Sequence, residues 1–274
     1  MPIPYTTACL TVFAALFGLL IGSFLNVCIY RLPKHETIVR GHSYCPKCHH
    51  PLSSADLVPV FSYLLLGRRC RYCREPISGR YARIELTTSV YFALAAFLWS
   101  PTRSSILQSR QPGYLGVLAP ELYVLILIGL ILACFSSLLV WAMILKDQNQ
   151  PPYGLYLFTI IPAAGRLLFQ PELLLSHLAA MIFTGLFCFF LHWLHLLPQD
   201  TPDKLRHEIA GLSLLGLTAG LTAIQPVLVF YLIEGTLTAA WQKKKSGASE
   251  RAVRLARMIP LAGVLVGSAA LLVF

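Results

Sequence analysis

Charged side chains are scarce in this sequence, since they make up 12% of its 274 residues while 56% of the residues are hydrophobic. A soluble domain carries about 25% charged residues, so the composition indicates that the solvent of this chain is a lipid bilayer. The charges are also uneven, with 22 lysines and arginines against 12 acidic residues. We therefore expect an integral membrane protein.

Three further features are missing. The first apolar run has neither a basic segment before it nor a small-residue cleavage site, so we interpret it as a retained anchor rather than a signal peptide. No glycine-rich loop of the kind found in soluble doubly wound methyltransferases is present. Internal repeats and low-complexity tracts are absent as well. The chain is therefore predicted to be one membrane domain with an insertion.

Apolar runs of about 16 to 25 residues recur along the sequence, and in hydrocarbon such runs must be helical because a helix satisfies its own backbone hydrogen bonds. Eight of them are predicted as transmembrane helices: Tyr5–Tyr30, Ile84–Trp99, Leu122–Leu145, Tyr153–Phe169, Leu173–Leu197, Ile209–Ile224, Pro226–Trp241 and Met258–Phe274.

The basic residues predict the orientation of these helices. If the segment after the first helix is cytosolic, nineteen of the 22 lysines and arginines face the cytosol and three remain outside: Arg103, Arg110 and Arg166. Both termini are then periplasmic, and the connections at 31–83, 146–152, 198–208 and 242–257 are cytosolic. Topology thus explains the net charge of +10, so we predict contact with the lipid bilayer and no nucleic-acid partner.

Four of the eight cysteines form two CxxC pairs, Cys45 with Cys48 and Cys70 with Cys73. Two such pairs suit tetrahedral zinc, and a closed four-thiolate site leaves no open position for hydrolysis, so the zinc is predicted to be structural. Two disulfides are the alternative, but disulfides seldom persist in a reducing cytosol. The predicted fold class is all-α integral membrane, with about eight transmembrane helices and a small cytosolic four-cysteine zinc module in the first loop.

Several motifs follow one another in order along the chain: Gly22-Ser23-Phe24-Leu25-Asn26-Val27, Tyr30-Arg31-Leu32-Pro33, both CxxC pairs, Asp56 to Tyr63, Ile77 to Tyr81, Glu85-Leu86-Thr87, and the glycines Gly216, Gly220 and Gly235. Together they resemble one known family, the prepilin leader peptidases of type IV pilus and type II secretion systems. The members of that family are membrane aspartic peptidases of the GxGD class.

The resemblance implies cleavage of the leader from type IV prepilins or pseudopilins at the cytosolic face of the bacterial inner membrane. It also implies possible methylation of the new N-terminus with S-adenosylmethionine. The predicted divisions are a first transmembrane helix at 1–31, a cytosolic zinc-binding loop at 32–83 and a transmembrane peptidase-like helical domain at 84–274.

Aspartic peptidase chemistry needs two carboxylates that share a proton, one acting as base on a water and the other as acid. Aligning Pro151-Pro152 with the Pro-Asp pair of the family puts Ile144 at the first aspartate position. The nearest acid is Asp147, one helical turn or about 4.5 Å nearer the cytosol. We therefore select Asp147 as the first candidate.

The second aspartate of the family ends a Gly-x-Gly-Asp motif. Counting back from Gly216 and Gly220 puts Glu208 at that position, without the glycines of the motif. A rival register through Gly211 selects Asp203 but loses the other two glycine matches. Glu208 is therefore the second catalytic candidate, and the alternative is that both acids are solvated charges at helix ends.

Glu234 lies inside the seventh apolar run, where an ionisable residue is a functional candidate by default. Three hypotheses follow for the whole protein. It is a working prepilin peptidase, or an inactive paralogue that binds prepilins or an active peptidase, or a zinc-bearing membrane scaffold unrelated to pili. The long matches outside the cysteines favour the first two.

Overall fold

The computed structural model describes residues 5–98, 120–147, 150–193 and 205–220. Every regular secondary-structure element among these residues is a helix. The chain divides into two compact units, Met1–Gly113 and Tyr114–Phe274. The predicted all-α fold class is therefore confirmed. The domain boundaries at residues 31 and 83 stay a prediction.

The first unit contains two long helices, α1 (Tyr5–Arg31) and α3 (Arg80–Leu98), and a short helix between them, α2 (Phe61–Leu65). Single 3-10 turns cover Leu32–Lys34 and Ser54–Leu57. The remainder of residues 32–79 is irregular and carries both CxxC pairs.

Two glycines four residues apart let α1 and α3 pack closely and antiparallel. A Cβ on Gly18 would lie 2.7 Å from the Cα of Ser89, and a Cβ on Gly22 would lie 2.7 Å from the Cα of Glu85. Real side chains do not tolerate such distances. The pair is a small-xxx-small motif, which is how membrane helices bring their backbones together.

The second unit contains α4 (Pro120–Lys146), α5 (Tyr153–Phe169), α6 (Leu174–Trp193) and a helical segment α7 over residues 205–220. The large, fully buried side chains of α4 supply much of its core: Leu127, Ile131, Phe135, Leu138, Leu139, Met143 and Ile144. Gly216 of α7 packs against α6, where an added Cβ would lie 2.6 Å from the Ala180 carbonyl oxygen.

Three helices among the described residues are long and apolar enough to cross a membrane: Tyr5–Lys34, Leu122–Lys146 and Pro171–Phe190. The shorter apolar helix Tyr153–Phe169 coincides with the fourth predicted span. The last two predicted spans, with Glu234, lie outside the described residues. These apolar helices support the prediction that the chain is a membrane protein. The count of eight spans stays a prediction.

Candidate functional site

The first CxxC pair lies in a tight turn. The backbone N–H of His49 donates to the Cys45 carbonyl over 2.9 Å, and the N–H of Cys45 donates to the His50 carbonyl over 3.1 Å. His49 adopts a left-handed conformation with φ of 57°. This turn brings the two cysteine side chains to the same side of the chain.

The second pair repeats this turn 25 residues later. The N–H of Arg74 donates to the Cys70 carbonyl over 3.1 Å, the N–H of Cys70 donates to the Glu75 carbonyl over 2.9 Å, and Arg74 has φ of 60°. Both turns also carry one isolated β-bridge each. The prediction that internal repeats are absent is therefore wrong, because residues 43–52 and 68–77 are two copies of one CxxC turn, which we call the two knuckles.

The sequence signal for the repeat is the short pattern C-x-x-C-x-x-P followed by Leu52 or Ile77. Three identities in ten residues are too few to reveal the repeat without the backbone. The two knuckles meet through His50 and Tyr72, whose rings stack with centroids 3.6 Å apart.

The four cysteine sulfur atoms of the two knuckles converge. The Sγ atoms of Cys45, Cys48, Cys70 and Cys73 all lie within 4.8 Å of one another, and Cys45 and Cys73 are 3.9 Å apart. Zinc–sulfur bonds of about 2.3 Å place the sulfurs of a tetrahedral site about 3.8 Å apart. The four-cysteine cluster therefore has the donor set and the spacing to hold a zinc ion.

The thiols of this cluster do not ionise alike. Hydrogen bonds from the backbone N–H of Cys73 and of Tyr72 lower the pKa of Cys70 to about 7, although burial opposes this. The N–H of Glu75 lowers the pKa of Cys73, but burial and the neighbouring thiols outweigh it and raise the pKa to about 12. A divalent cation is what would let all four sulfurs lose their protons together.

Asp56 connects the first part of the loop to the second knuckle. Its carboxylate accepts hydrogen bonds from the Nε of Arg71 at 2.6 Å, from the hydroxyl of Ser53 at 2.8 Å and from the hydroxyl of Tyr72 at 3.3 Å. Burial raises the pKa of Asp56, but the bonds from Arg71 and Ser53 outweigh it and lower the pKa to about 2. The carboxylate therefore stays ionised at every physiological pH.

Arg31 holds the start of the loop against the end of α1. Its guanidinium is buried and donates to the carbonyls of Thr37, Arg40 and His42 over 2.9, 3.2 and 3.1 Å. Charge-assisted bonds of this kind are about twice as strong as neutral ones. The arginine therefore fixes the segment that leads into the first knuckle.

A cavity of about 200 Å³ lies between the knuckles, α2 and the adjoining ends of α1 and α3. Its wall includes four tyrosines, at positions 30, 44, 63 and 81. Asn26 is 7% exposed and donates to the Tyr81 carbonyl over 3.2 Å, whereas its Oδ1 has no hydrogen-bond partner. The cavity is therefore largely apolar and aromatic, and the Asn26 Oδ1 on its wall is a buried acceptor without a partner.

The wall of this cavity opposite the knuckles is held by Glu85. Its Oε2 accepts the backbone N–H of Val60 over 2.8 Å, and Glu85 is 8% exposed. Val60 has φ of 61° and ψ of −48°, and the next N–H, on Phe61, donates to the Pro59 carbonyl over 2.6 Å. This is a γ-turn with positive φ, which is rare and strained, most of all for a β-branched residue. No pattern in the sequence predicts this turn.

The two predicted catalytic acids lie in the second unit. Asp147 follows the end of α4 and is exposed, with its N–H donating to the carbonyls of Met143 and Ile144, and Ile144 itself is fully buried. Glu208 is half-buried in the first turns of α7. The pairing of these two carboxyls stays a prediction. The rival Asp203 lies outside the described residues.

His207, which the sequence did not single out, is the buried neighbour of Glu208. Its Nδ1 lies 2.6 Å from the hydroxyl of Tyr156, and the two rings stack with centroids 6.0 Å apart. This contact anchors the start of α7 to α5. The residue therefore positions the backbone that carries Glu208.

Together these features indicate a membrane protein that is helical in its described parts, with a four-cysteine cluster that could hold a metal ion in the loop between α1 and α3. Residues 16–99 match the family described as the bacterial Peptidase A24 N-terminal domain. The match contains all four cysteines, Asn26 and Glu85, and it ends before either catalytic candidate.

Curated relatives bear names that agree with this match. The chain is 46% identical over 91 residues to the prepilin leader peptidase/N-methyltransferase of Myxococcus xanthus, covering 32% of this chain and 27% of that protein. It is 41% identical over 95 residues to that of Klebsiella pneumoniae, covering 32% and 42%. A leader peptide-processing enzyme for type 4 prepilin-like proteins from Escherichia coli O78:H11 is 36% identical over 110 residues, covering 34% and 41%.

The chain thus spans less than half the length of these relatives. No solved structure matches it. The resemblance to prepilin leader peptidases is confirmed, and the match to the bacterial Peptidase A24 N-terminal domain covers residues 16–99.

Proposed function

We propose that this protein processes type IV prepilins or type II secretion pseudopilins at the cytosolic face of the bacterial inner membrane. The observation that carries the proposal is the A24 N-terminal domain at residues 16–99. Its relatives are named for prepilin leader cleavage and N-methylation. The match extends well beyond the cysteines, which a zinc-bearing scaffold unrelated to pili would not require.

The reaction is endoproteolytic removal of the leader, with Asp147 and Glu208 as the carboxylate pair. One carboxylate takes a proton from the attacking water while the other gives a proton to the carbonyl oxygen. Their positions support this role in one respect: Asp147 lies at the end of α4 that the charge pattern places in the cytosol, and Glu208 begins α7 on the same predicted side. Basic leaders of inner-membrane substrates are accessible from that side.

The four-cysteine cluster is proposed to bind structural zinc. The sulfur spacing supports zinc, and four thiolates leave no coordination position for a water or a substrate. When bound, the ion would join the two knuckles and thereby order a loop with few buried side chains of its own. S-adenosylmethionine is the proposed methyl donor if the chain shares the second activity in its relatives' names.

The test is cleavage of a purified prepilin by the full-length protein in liposomes, followed by mass spectrometry of the pilin. The host should lack its other leader peptidases. A product that begins at the leader junction is expected, and an added mass of 14 Da with S-adenosylmethionine present would report methylation.

Intact prepilin would contradict the proposal, provided the protein is folded and zinc-loaded. If that protein still binds prepilin, the result identifies an inactive paralogue with a binding role. If it does not bind prepilin either, the result favours a membrane scaffold.

A further inference from the structure

The residues before and within α2 expose an unusually apolar surface for a loop. Val58 is 45% exposed, Phe61 55%, Leu64 58% and Leu65 85%. Large apolar side chains clustered in this way on a monomer mark a surface that something else covers. We call these four residues the apolar face of α2.

The opposite face of α2 belongs to the interior of the first unit. Ser62, Tyr63 and Leu66 line the cavity beside α1 and α3. The helix is therefore oriented with one side against the membrane helices and the other side turned away from them.

The depth of α2 along the membrane helices can be read from two contacts. Val60 is bound to Glu85, and the Cα of Glu85 packs against Gly22 of α1. Gly22 lies nine residues before Arg31, the last residue of α1, and at 1.5 Å per residue this is about 14 Å from the end of the helix. The start of α2 therefore lies beside the body of α1 and not beyond its tip.

That depth falls within the span of a bilayer. The 27 residues of α1 extend for about 40 Å, compared with a hydrocarbon core of about 30 Å and about 40–45 Å including the headgroups. Tyr30 and Arg31 are typical of the membrane–water interface. The headgroup layer is about 5–8 Å thick on each side, so a segment about 14 Å below these residues reaches the acyl chains beneath the headgroups.

The neighbouring surfaces continue the same apolar band. Leu20 and Phe24 of α1 are 59% and 47% exposed, and Leu86 and Val90 of α3 are 47% and 56% exposed. Two exposed arginines, Arg68 and Arg69, follow α2 after Leu66 and Gly67. Apolar side chains followed by exposed arginines complement acyl chains below and anionic headgroups above.

We propose that the apolar face of α2 inserts into the cytosolic leaflet of the bilayer that α1 crosses, so that residues 57–66 form an interfacial membrane anchor for the loop that carries the four cysteines. The two knuckles are then attached to α1, to α3 and to the membrane surface. The γ-turn at Val60 and the Glu85 bond set the depth of the anchor.

The test places a photoreactive benzoylphenylalanine at Leu65, and separately at Leu64, in the full-length protein. Each variant is reconstituted in vesicles of phosphatidylethanolamine and phosphatidylglycerol, irradiated and analysed by mass spectrometry. A probe at Leu20 serves as the lipid-facing reference, and a probe at the exposed Lys47 of the first knuckle serves as the solvent-facing control. Zinc content reports whether each variant is folded.

Lipid adducts at Leu64 or Leu65 should reach at least half the yield at Leu20 and exceed the yield at Lys47 by fivefold or more. Yields at both positions as low as at Lys47 would overturn the proposal. So would adducts to another part of this chain or to an added prepilin, because the apolar face would then be a protein-docking surface. Two probe positions are used so that misfolding of one variant leaves the other to decide.

Discussion

Glu85 and Val60 are 25 positions apart, yet the Glu85 carboxylate accepts the Val60 backbone N–H over 2.8 Å. Val60 holds a positive φ that a β-branched residue rarely adopts. Strain of this kind persists only where the surroundings over-determine the conformation. The buried carboxylate is the contact that does so here, and it joins α2 to α3.

Glu85→Ala should loosen α2 while Glu85→Gln should not. Alanine leaves the Val60 N–H without a partner in a partly buried setting, which costs about 1–3 kcal/mol, whereas the glutamine amide oxygen can still accept it. Hydrogen–deuterium exchange of the peptide covering residues 57–66 should rise several-fold in the alanine variant only. Glu36→Ala, at an exposed acid of the same unit, is the control. Equal protection in all variants would contradict the assignment.

The close approach of α1 to α3 makes a second prediction. Gly22→Val places a side chain where a Cβ alone would lie 2.7 Å from the Glu85 backbone, and overpacking of this kind typically costs about 1–3 kcal/mol. Thermal unfolding in detergent should shift to lower temperature. Gly129→Val is the matched control, because a Cβ at that helical glycine meets nothing within 4 Å. Similar shifts of the unfolding temperature in both variants would show that α1 and α3 are not closely packed at Gly22.

Periodicity and spacing predicted much of this molecule. Long apolar runs announce membrane helices because the bilayer requires about 20 residues per span, so α1 and α4 begin and end close to their predicted bounds. The CxxC spacing predicted that the four cysteines converge, because one local turn is enough to bring the two thiols of each pair together.

The rest depended on contacts between distant residues. Neither α2 nor the γ-turn at Val60 was predicted, because Leu57 to Leu66 is too short to show a helical period and the bond to Glu85 is not local. The cavity beside Asn26 arises only when the loop folds back on the helix ends. The repeat of the two knuckles was not predicted, because most of their side chains differ although their backbones adopt the same conformation.

Zinc binding predicts a stoichiometry that depends on each of the four thiols. The purified protein should contain about one zinc per chain, and Cys45→Ser or Cys70→Ser should lose it, since removing one thiolate from a closed site leaves three ligands. Elemental analysis of the purified variants measures this. Cys9→Ser, at an exposed cysteine outside the cluster, should keep its zinc. Zinc retained in all the cluster variants would exclude the site.

Asp56 predicts a particular pH dependence. Its folded pKa of about 2 lies below its ordinary value of about 3.9. Its stabilisation is therefore complete above about pH 5 and is lost as the pH falls from about 4 towards 2. Asp56→Asn should lower the unfolding temperature by an amount that is constant between about pH 5 and pH 8.

Comparing the two proteins at each pH cancels the titration of the four clustered cysteines, which both proteins share. Glu75→Gln removes a nearby exposed acid and should have little effect. A difference that shrinks between pH 7 and pH 6 would mean that Asp56 titrates near neutrality and is not held ionised by Arg71.

The proposed catalytic pair makes the sharpest prediction, because a shared-proton mechanism fails when either carboxylate is lost. Asp147→Asn and Glu208→Gln should each reduce prepilin cleavage at least a hundredfold, since acid–base groups contribute about 10²–10⁴-fold. Both variants should keep their zinc, because the cysteines lie in the other unit. Glu172→Gln, at an exposed acid before α6, is the control and should cleave normally. Full cleavage by both variants would remove Asp147 and Glu208 from the mechanism while leaving prepilin processing intact, and another carboxylate pair would then have to perform it.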